Sequence, residues 1–291
     1  MVRAMENPVS SDLSLGLIAL VLATALMHAS WNAMVRGSAD KLSSLALMTG
    51  ASAVIALPVL PFLPLPTLET WGFLLFTLIL HTGYKLFLVR AYTFGDLGHV
   101  YPIARGSAPL LVTIGAFLFI GETLSIWAIG GLLLVTGGII SLAWNKHGGT
   151  ADESKATIYA LVTATFIASY TMVDGIGGRI AQSPFVYVFW LFVLDGGVFF
   201  AIGLYRRGWT SIKNTSSVWS VAIGGAALQL MAYAIVIWAM SVAPLGPVSA
   251  LRETSVIFAA FLSSFMLKEP IGRLGIAAAI TVAIGVALIK L

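Results

Sequence analysis

Apolar runs about twenty residues long follow one another almost without a break through this chain, and each can cross a hydrocarbon core of about 30 Å as an α-helix. That leaves no room for a separate water-soluble domain. Hydrophobic residues make up 59% of the 291 residues and charged residues 10%, whereas soluble domains carry about a quarter charged. A membrane β-barrel would show segments of about ten residues alternating apolar and polar, and runs such as 13–26 or 127–134 do not alternate. The expected fold class is an all-α integral membrane protein.

Hydropathy and helix breakers predict ten transmembrane helices, at 13–35, 41–62, 69–92, 98–119, 123–144, 156–175, 184–204, 215–240, 246–267 and 271–290. Pro58, Pro61, Pro64 and Pro66 end the second. The first twelve residues, with Arg3, Glu6 and Asp12, are too polar for the core of a signal peptide, so the first helix is expected to be retained. The polar segment 146–155 divides the chain into halves, 13–145 and 156–291. The halves align with each other. A shift of 139 places Ala29-Ser30-Trp31-Asn32 on Ala168-Ser169-Tyr170-Thr171, 148 places Leu97-Gly98 on Leu245-Gly246, and 147 places Glu122 on Glu269 and Gly138 on Gly285. Two five-helix repeats are expected.

Loop charges test the same plan. Arg36, Lys41, Arg90, Lys146, Lys155, Arg206, Arg207, Lys213, Lys268 and Arg273 lie in or beside the odd-numbered connections, against Arg3, Arg179 and Lys290 on the other side. The positive-inside rule then puts the odd connections in the cytoplasm and both termini outside, as in a bacterial-type inner membrane. An odd number of helices per repeat inserts the halves with opposite orientation, the inverted plan of many secondary transporters. The net charge of +4 is scattered rather than gathered, so nucleic acid is not an expected partner. The absence of cysteine excludes disulfides and zinc–thiolate sites, and no cofactor or metal is expected.

Polar residues interrupt the apolar helices at helical spacing. His28, Trp31 and Asn32 share one face, as do His81, Tyr84 and Lys85; Tyr101 with Arg105, Tyr170 with Asp174, Gln229 with Tyr233, and Ser249 with Arg252 and Glu253 form further stripes. A charge at the bilayer centre costs about 2.5–3.5 kcal/mol on insertion scales, so the stripes are expected to face one another around a central cavity. Trp238 is read as a further lining residue. His28, His81, Asp174 and Glu253 are the intramembrane candidates for proton coupling, with uniport equally compatible. Lys85, Arg105, Arg252, Asp174 and Glu253 together leave about one positive charge, which suits a solute with a carboxylate and an apolar or aromatic body.

Each assignment has a plainer counterpart. A histidine or tyrosine in a membrane helix can simply bond a neighbouring carbonyl, and Arg105, about seven residues into its helix, can snorkel to an interface. Pro102 and Pro109 provide a hinge or merely curvature in the fourth helix. Arg90, Asp96, Arg179 and Asp195 are read as topology or interface charges. Arg252 points about 100° away from Glu253 on a helix, so a cation from across the cavity, such as Lys85 or Arg105, is the better partner. Because the fourth and ninth helices enter from opposite sides, Arg105 and Glu253 are expected to gate separate ends, with Lys85 at the centre. Gly130-Gly131 and Gly137-Gly138 read as close helix packing. No HExxH, GxSxG with partners, or Walker A lysine is present, so an enzyme is not expected.

The HASWNA stretch at 28–33, the run from His81 to Leu111 (HTGYKLFLVRAYTFGDLGHVYPIARGSAPLL) and the Gly121-Glu122 pair with Gly138 sixteen residues beyond the glutamate resemble the EamA-type branch of the drug/metabolite transporter (DMT) superfamily. Lys268-Glu269 with Gly285 sixteen beyond is similar to the second EamA repeat. The resemblance implies a ten-helix, two-repeat carrier that exports small metabolites such as amino acids by alternating access, with YddG-like exporters of aromatic amino acids among its relatives. The four-helix multidrug exporters of the superfamily carry a glutamate in their first helix, where this chain has His28 and Asn32; that departure argues against a cationic-drug antiporter. The competing expectation is a membrane-embedded protein or enzyme that handles a lipid head group. The partners are then a small-molecule substrate and the bilayer, with a monomer compatible and oligomers open.

Overall fold

The computed structural model describes residues 13–36, 41–95, 97–145, 151–214, 219–267 and 272–291. The N-terminal twelve residues, Asp96, residues 146–150 of the polar segment and the Lys268-Glu269 pair lie outside the described residues.

The described residues fold into α1 (Leu15–Arg36), α2 (Lys41–Ala56), α3 (Leu68–Ala91), α4 (Leu97–Ile120), α5 (Ile126–Ser141), α6 (Ala151–Ile180), α7 (Pro184–Asn214), α8 (Trp219–Val242), α9 (Leu245–Glu253), α10 (Ser255–Leu267) and α11 (Arg273–Ile289). Eight helical segments among them are long and apolar enough to cross a membrane. The helices Ile126–Ser141 and Arg273–Ile289 are shorter. At 1.5 Å per residue they reach only about 25 Å, so ten full-length spans are not all met by length alone. Pro58 and Pro61 explain the early end of α2, which tightens into a 3₁₀ turn over Leu57–Phe62.

The predicted ninth helix is broken. Thr254 turns its N–H to the carbonyls of Leu251 and Arg252, and its hydroxyl donates to Leu251 O at 2.7 Å. These bonds replace the i→i−4 ladder for one residue and divide α9 from α10. All nine residues of α9 are buried. A helix enclosed on every side is placed like a core element rather than a lipid-facing one.

Packing follows an exchange of the two halves. α1 lies on α8 as α6 lies on α3; α9 and α10 lie on α1 as α4 lies on α6; α2 lies on α8 as α7 lies on α3. Three pairs, α2 with α7, α4 with α9 and α5 with α11, join counterpart helices to each other. In the α5–α11 crossing Gly131 meets the Gly285 backbone while Gly138 meets Ala278 O. Rising numbers on one helix meet falling numbers on the other, so these counterparts run antiparallel. Gly196 beside Thr49 and Gly203 beside Ala46 give the same sense for α7 and α2. Gly130 and Gly137 meet nothing, so only one glycine of each sequence pair serves the close packing.

Candidate functional site

Two buried arginines converge on one carboxylate at the α4–α9 contact. Arg105 is the ninth residue of α4 and Glu253 the ninth of α9, about 12 Å along each helix. Counterparts inserted from opposite sides thus meet near the middle of the bundle. Arg105 Nε stands 2.5 Å from Glu253 Oε2; neither atom has an aligned hydrogen bond, so that contact is charge pairing. Arg252 reaches the other oxygen, with Nε and Nη2 donating to Glu253 Oε1 at 3.1 and 2.8 Å. Exposure of the three residues is 2%, 3% and 0%.

The expectations for this group are corrected on three counts. Arg105 does not snorkel, Arg105 and Glu253 do not gate separate ends, and Arg252 does not point away. Its long side chain reaches the carboxylate of the next residue, on a helix that is buried on every side.

His28 on α1 completes the centre, because Arg105 Nη2 donates to His28 Nε2 at 3.0 Å. An arginine has no lone pair to offer, so this nitrogen accepts and the ring's hydrogen sits on Nδ1. Arg252 Nη2 also donates to Thr171 Oγ1 at 3.1 Å. The Tyr101 ring lies 5.8 Å beneath the Arg105 guanidinium. Trp31, one turn from His28, stands edge-on to it at 4.7 Å and packs with Met48 and Ala226. Trp31 Nε1 and Ser249 Oγ are buried without a hydrogen-bond partner among the described residues. Asn32 instead bonds its own helix, donating to His28 O at 2.8 Å.

A second centre surrounds Asp174 on α6. Tyr187 OH donates to Oδ1 at 2.8 Å, while Oδ2 receives Tyr233 OH and faces His81 Nε2 at 2.9 Å. Tyr170 lies against His81, ring centroids 4.2 Å apart, and Tyr84 stands edge-on to Tyr170 at 5.5 Å. Tyr187 escaped the sequence reading. An aromatic residue near a span's start looks like an interfacial belt residue.

Lys85 pairs with Asp195 on α7, Nζ donating to the two carboxylate oxygens at 2.9 and 2.7 Å, and its ammonium stands over the Phe199 ring at 4.3 Å. Asp195 is therefore an intramembrane partner and not an interface charge. Lys85, Arg105 and Arg252 face the carboxylates of Asp174, Asp195 and Glu253, which balances the buried core when both histidines are neutral. With Asp195 in the group, the single positive charge expected from the sequence disappears.

Arg179 is likewise no loose topology charge. It donates to Glu122 Oε1 at 2.6 Å and to the carbonyls of Met240 and Ala243, and Glu122 Oε2 accepts the Leu245 N–H at 2.9 Å. Gly121, at φ 69°, ends α4 with a turn that favours glycine; Glu122 follows directly. The carboxylate satisfies an orphan donor at the α9 N-terminus and ties the ends of α4, α6, α8 and α9 together.

Trp238 does not join any centre. Tyr233, Val236, Ile237 and Met240 form the inner stripe of α8, whereas Met231, Trp238 and Val242 are exposed along its outer side. The i, i+7, i+11 spacing of that outer stripe turns the indole away from the bundle. Trp238→Leu is expected to change stability by no more than about 0.5 kcal/mol and to leave transport unchanged, as measured by thermal unfolding and vesicle flux.

The family profile described as "EamA-like transporter family" matches residues 15–144 and again 154–291. The chain belongs to the EamA family. This places it among the membrane transporters of the DMT superfamily, a multi-pass bilayer protein with a small-molecule substrate. A solved structure described only as "Crystal structure of protein" shares the fold, with a TM-score of 0.74 over 95% of this chain and 98% of that one. Its sequence identity is 16%. No curated protein matches the chain.

Proposed function

We propose that this EamA-family protein is a secondary transporter that exports small carboxylate-bearing solutes, amino acids and aromatic ones first, by alternating access. The observation that carries the proposal is the sharing of Glu253 by Arg105 and Arg252. Two guanidiniums around one carboxylate leave a local excess of one positive charge in a place closed to water, which an isolated structural ion pair would not need. A substrate carboxylate supplies the missing anion in the bidentate geometry that guanidinium favours. Glu253 then holds the arginines in place between transport cycles. Trp31 Nε1 and Ser249 Oγ, each one turn from a member of the centre, offer further donors. The rings of Tyr84, Tyr101 and Tyr170 suit an aromatic body.

The antiparallel counterpart helices support two inverted halves, and the loop charges favour an inner membrane with both termini outside. Rocking of one half against the other would expose the centre to each side in turn. Pro102 and Pro109 in α4 and the break at Thr254 are the points where these helices can bend. The experiment is flux of radiolabelled L-phenylalanine and phenylpyruvate through vesicles containing the purified protein. Both are expected to cross, and Arg252→Met is expected to slow both by roughly tenfold or more, since a hydrogen bond to a charged group is worth about 1.5–3 kcal/mol. Wild-type vesicles that pass neither solute would overturn the proposal.

A further inference from the structure

Asp174 is fully buried, yet its side-chain hydrogen-bond partners among the described residues, His81, Tyr187 and Tyr233, include no permanently charged group. With His81 neutral, this centre carries one negative charge beside an arginine centre that carries one positive charge. The two are adjacent. Arg252 bonds Thr171, one turn before Asp174 on α6, and Tyr170 on the same helix lies against His81. The other charges near the two centres are committed. Lys85, one turn beyond His81 on α3, is held by Asp195 of α7, and Arg105 of α4 is held by Glu253.

We propose that Asp174 is the cation pole of the transport site, where a substrate ammonium and a proton on His81 are alternative occupants. This rests on the carboxylate reading of the arginine centre and narrows the substrate class to zwitterions. An amino acid matches both poles, its carboxylate toward the excess guanidinium and its ammonium toward Asp174. An ionised carboxylate only accepts, so the neutral His81 ring carries its hydrogen on Nε2 and leaves Nδ1 to take a proton. The resulting imidazolium neutralises Asp174 and removes its attraction for an ammonium. Proton and zwitterion then exclude each other through a shared charge. One proton bound on one side is released when the ammonium arrives from the other, so a neutral zwitterion is exchanged for one proton.

Vesicles containing the full chain test this with L-phenylalanine and phenylpyruvate, which lacks the ammonium but keeps the ring and carboxylate. With equal solute on both sides, the outside one pH unit more acid and the membrane potential clamped at zero, phenylalanine is expected to move outward toward about a tenfold imbalance for one-to-one exchange. Phenylpyruvate is expected to show no such drive. Asp174→Asn should abolish both the preference for phenylalanine over phenylpyruvate and the pH response. His81→Gln, which can still donate to Asp174, should lose the pH response of whatever phenylalanine flux it retains.

Wild-type phenylalanine flux indifferent to the gradient overturns the inference, as does an unchanged preference for phenylalanine in Asp174→Asn. Both leave the carboxylate reading standing, whereas a wild type that passes neither solute overturns that reading itself. Should Asp174→Asn also lose phenylpyruvate flux, His81→Gln decides, and a retained pH response there overturns the inference.

Discussion

Glu253→Ala is expected to destabilise the protein by about 3–5 kcal/mol, the range for breaking a buried ion pair by removing one partner. The substitution leaves Arg105 and Arg252 facing each other in a closed site, at 2% and 3% exposure, with no carboxylate between them. Thermal unfolding of the detergent-purified protein reads the loss. Glu253→Gln should cost less, because the amide oxygen still accepts from Arg252 although the charge is gone. Exchange of the charges in Arg105→Glu/Glu253→Arg offers a sharper comparison. The two residues are counterparts in their helices and meet each other, so the exchanged pair can re-form across the same contact. Glu253→Arg alone places three guanidiniums together and should be the least stable of the set. A Glu253→Ala protein as stable as the wild type would show that the arginines do not depend on this carboxylate.

Gly131→Val is expected to disrupt the α5–α11 crossing, while Gly130→Val should be tolerated. A Cβ on Gly131 would stand 2.5 Å from Gly285 O and 2.8 Å from Ile289 N, whereas a Cβ on Gly130 meets nothing within 4 Å. The obstructing atoms are backbone, so no rotamer change relieves the clash and the helices must separate. Membrane helices associate through such close packing rather than through a hydrophobic driving force between them. The expected cost is at the upper end of the 1–3 kcal/mol typical of overpacking, or about 3 kcal/mol. The readout is the yield and unfolding temperature of the two variants expressed side by side. Equal behaviour would mean that α5 and α11 do not rely on this contact.

The chemistry-bearing residues were legible because a charge inside an apolar helix is costly and therefore conspicuous. Lys85, Arg105, Arg252, Glu253 and Asp174 all stand out in this way, and helical spacing assigned His28, His81 and the tyrosines to the same faces. Their pairings were not legible. Whether Arg105 meets Glu253 depends on how deep each position lies, and two ninth residues entering from opposite sides both come to the middle. Asp195 carries the same signal as Lys85, but only the contact of α3 with α7 distinguishes an intramembrane partner from an interface charge. The break at Thr254 has no proline or glycine to announce it. The family was legible from its motifs, whereas the direction in which Trp238 faces follows only from the inner and outer stripes of α8.

A structure of the full chain with L-phenylalanine bound tests the central claim most directly. The expected result places the ligand carboxylate within hydrogen-bond distance of Arg105 and Arg252, with Glu253 displaced from at least one of them. A ligand bound elsewhere, with both arginines still closed on Glu253, would contradict the assignment of this centre as the transport site.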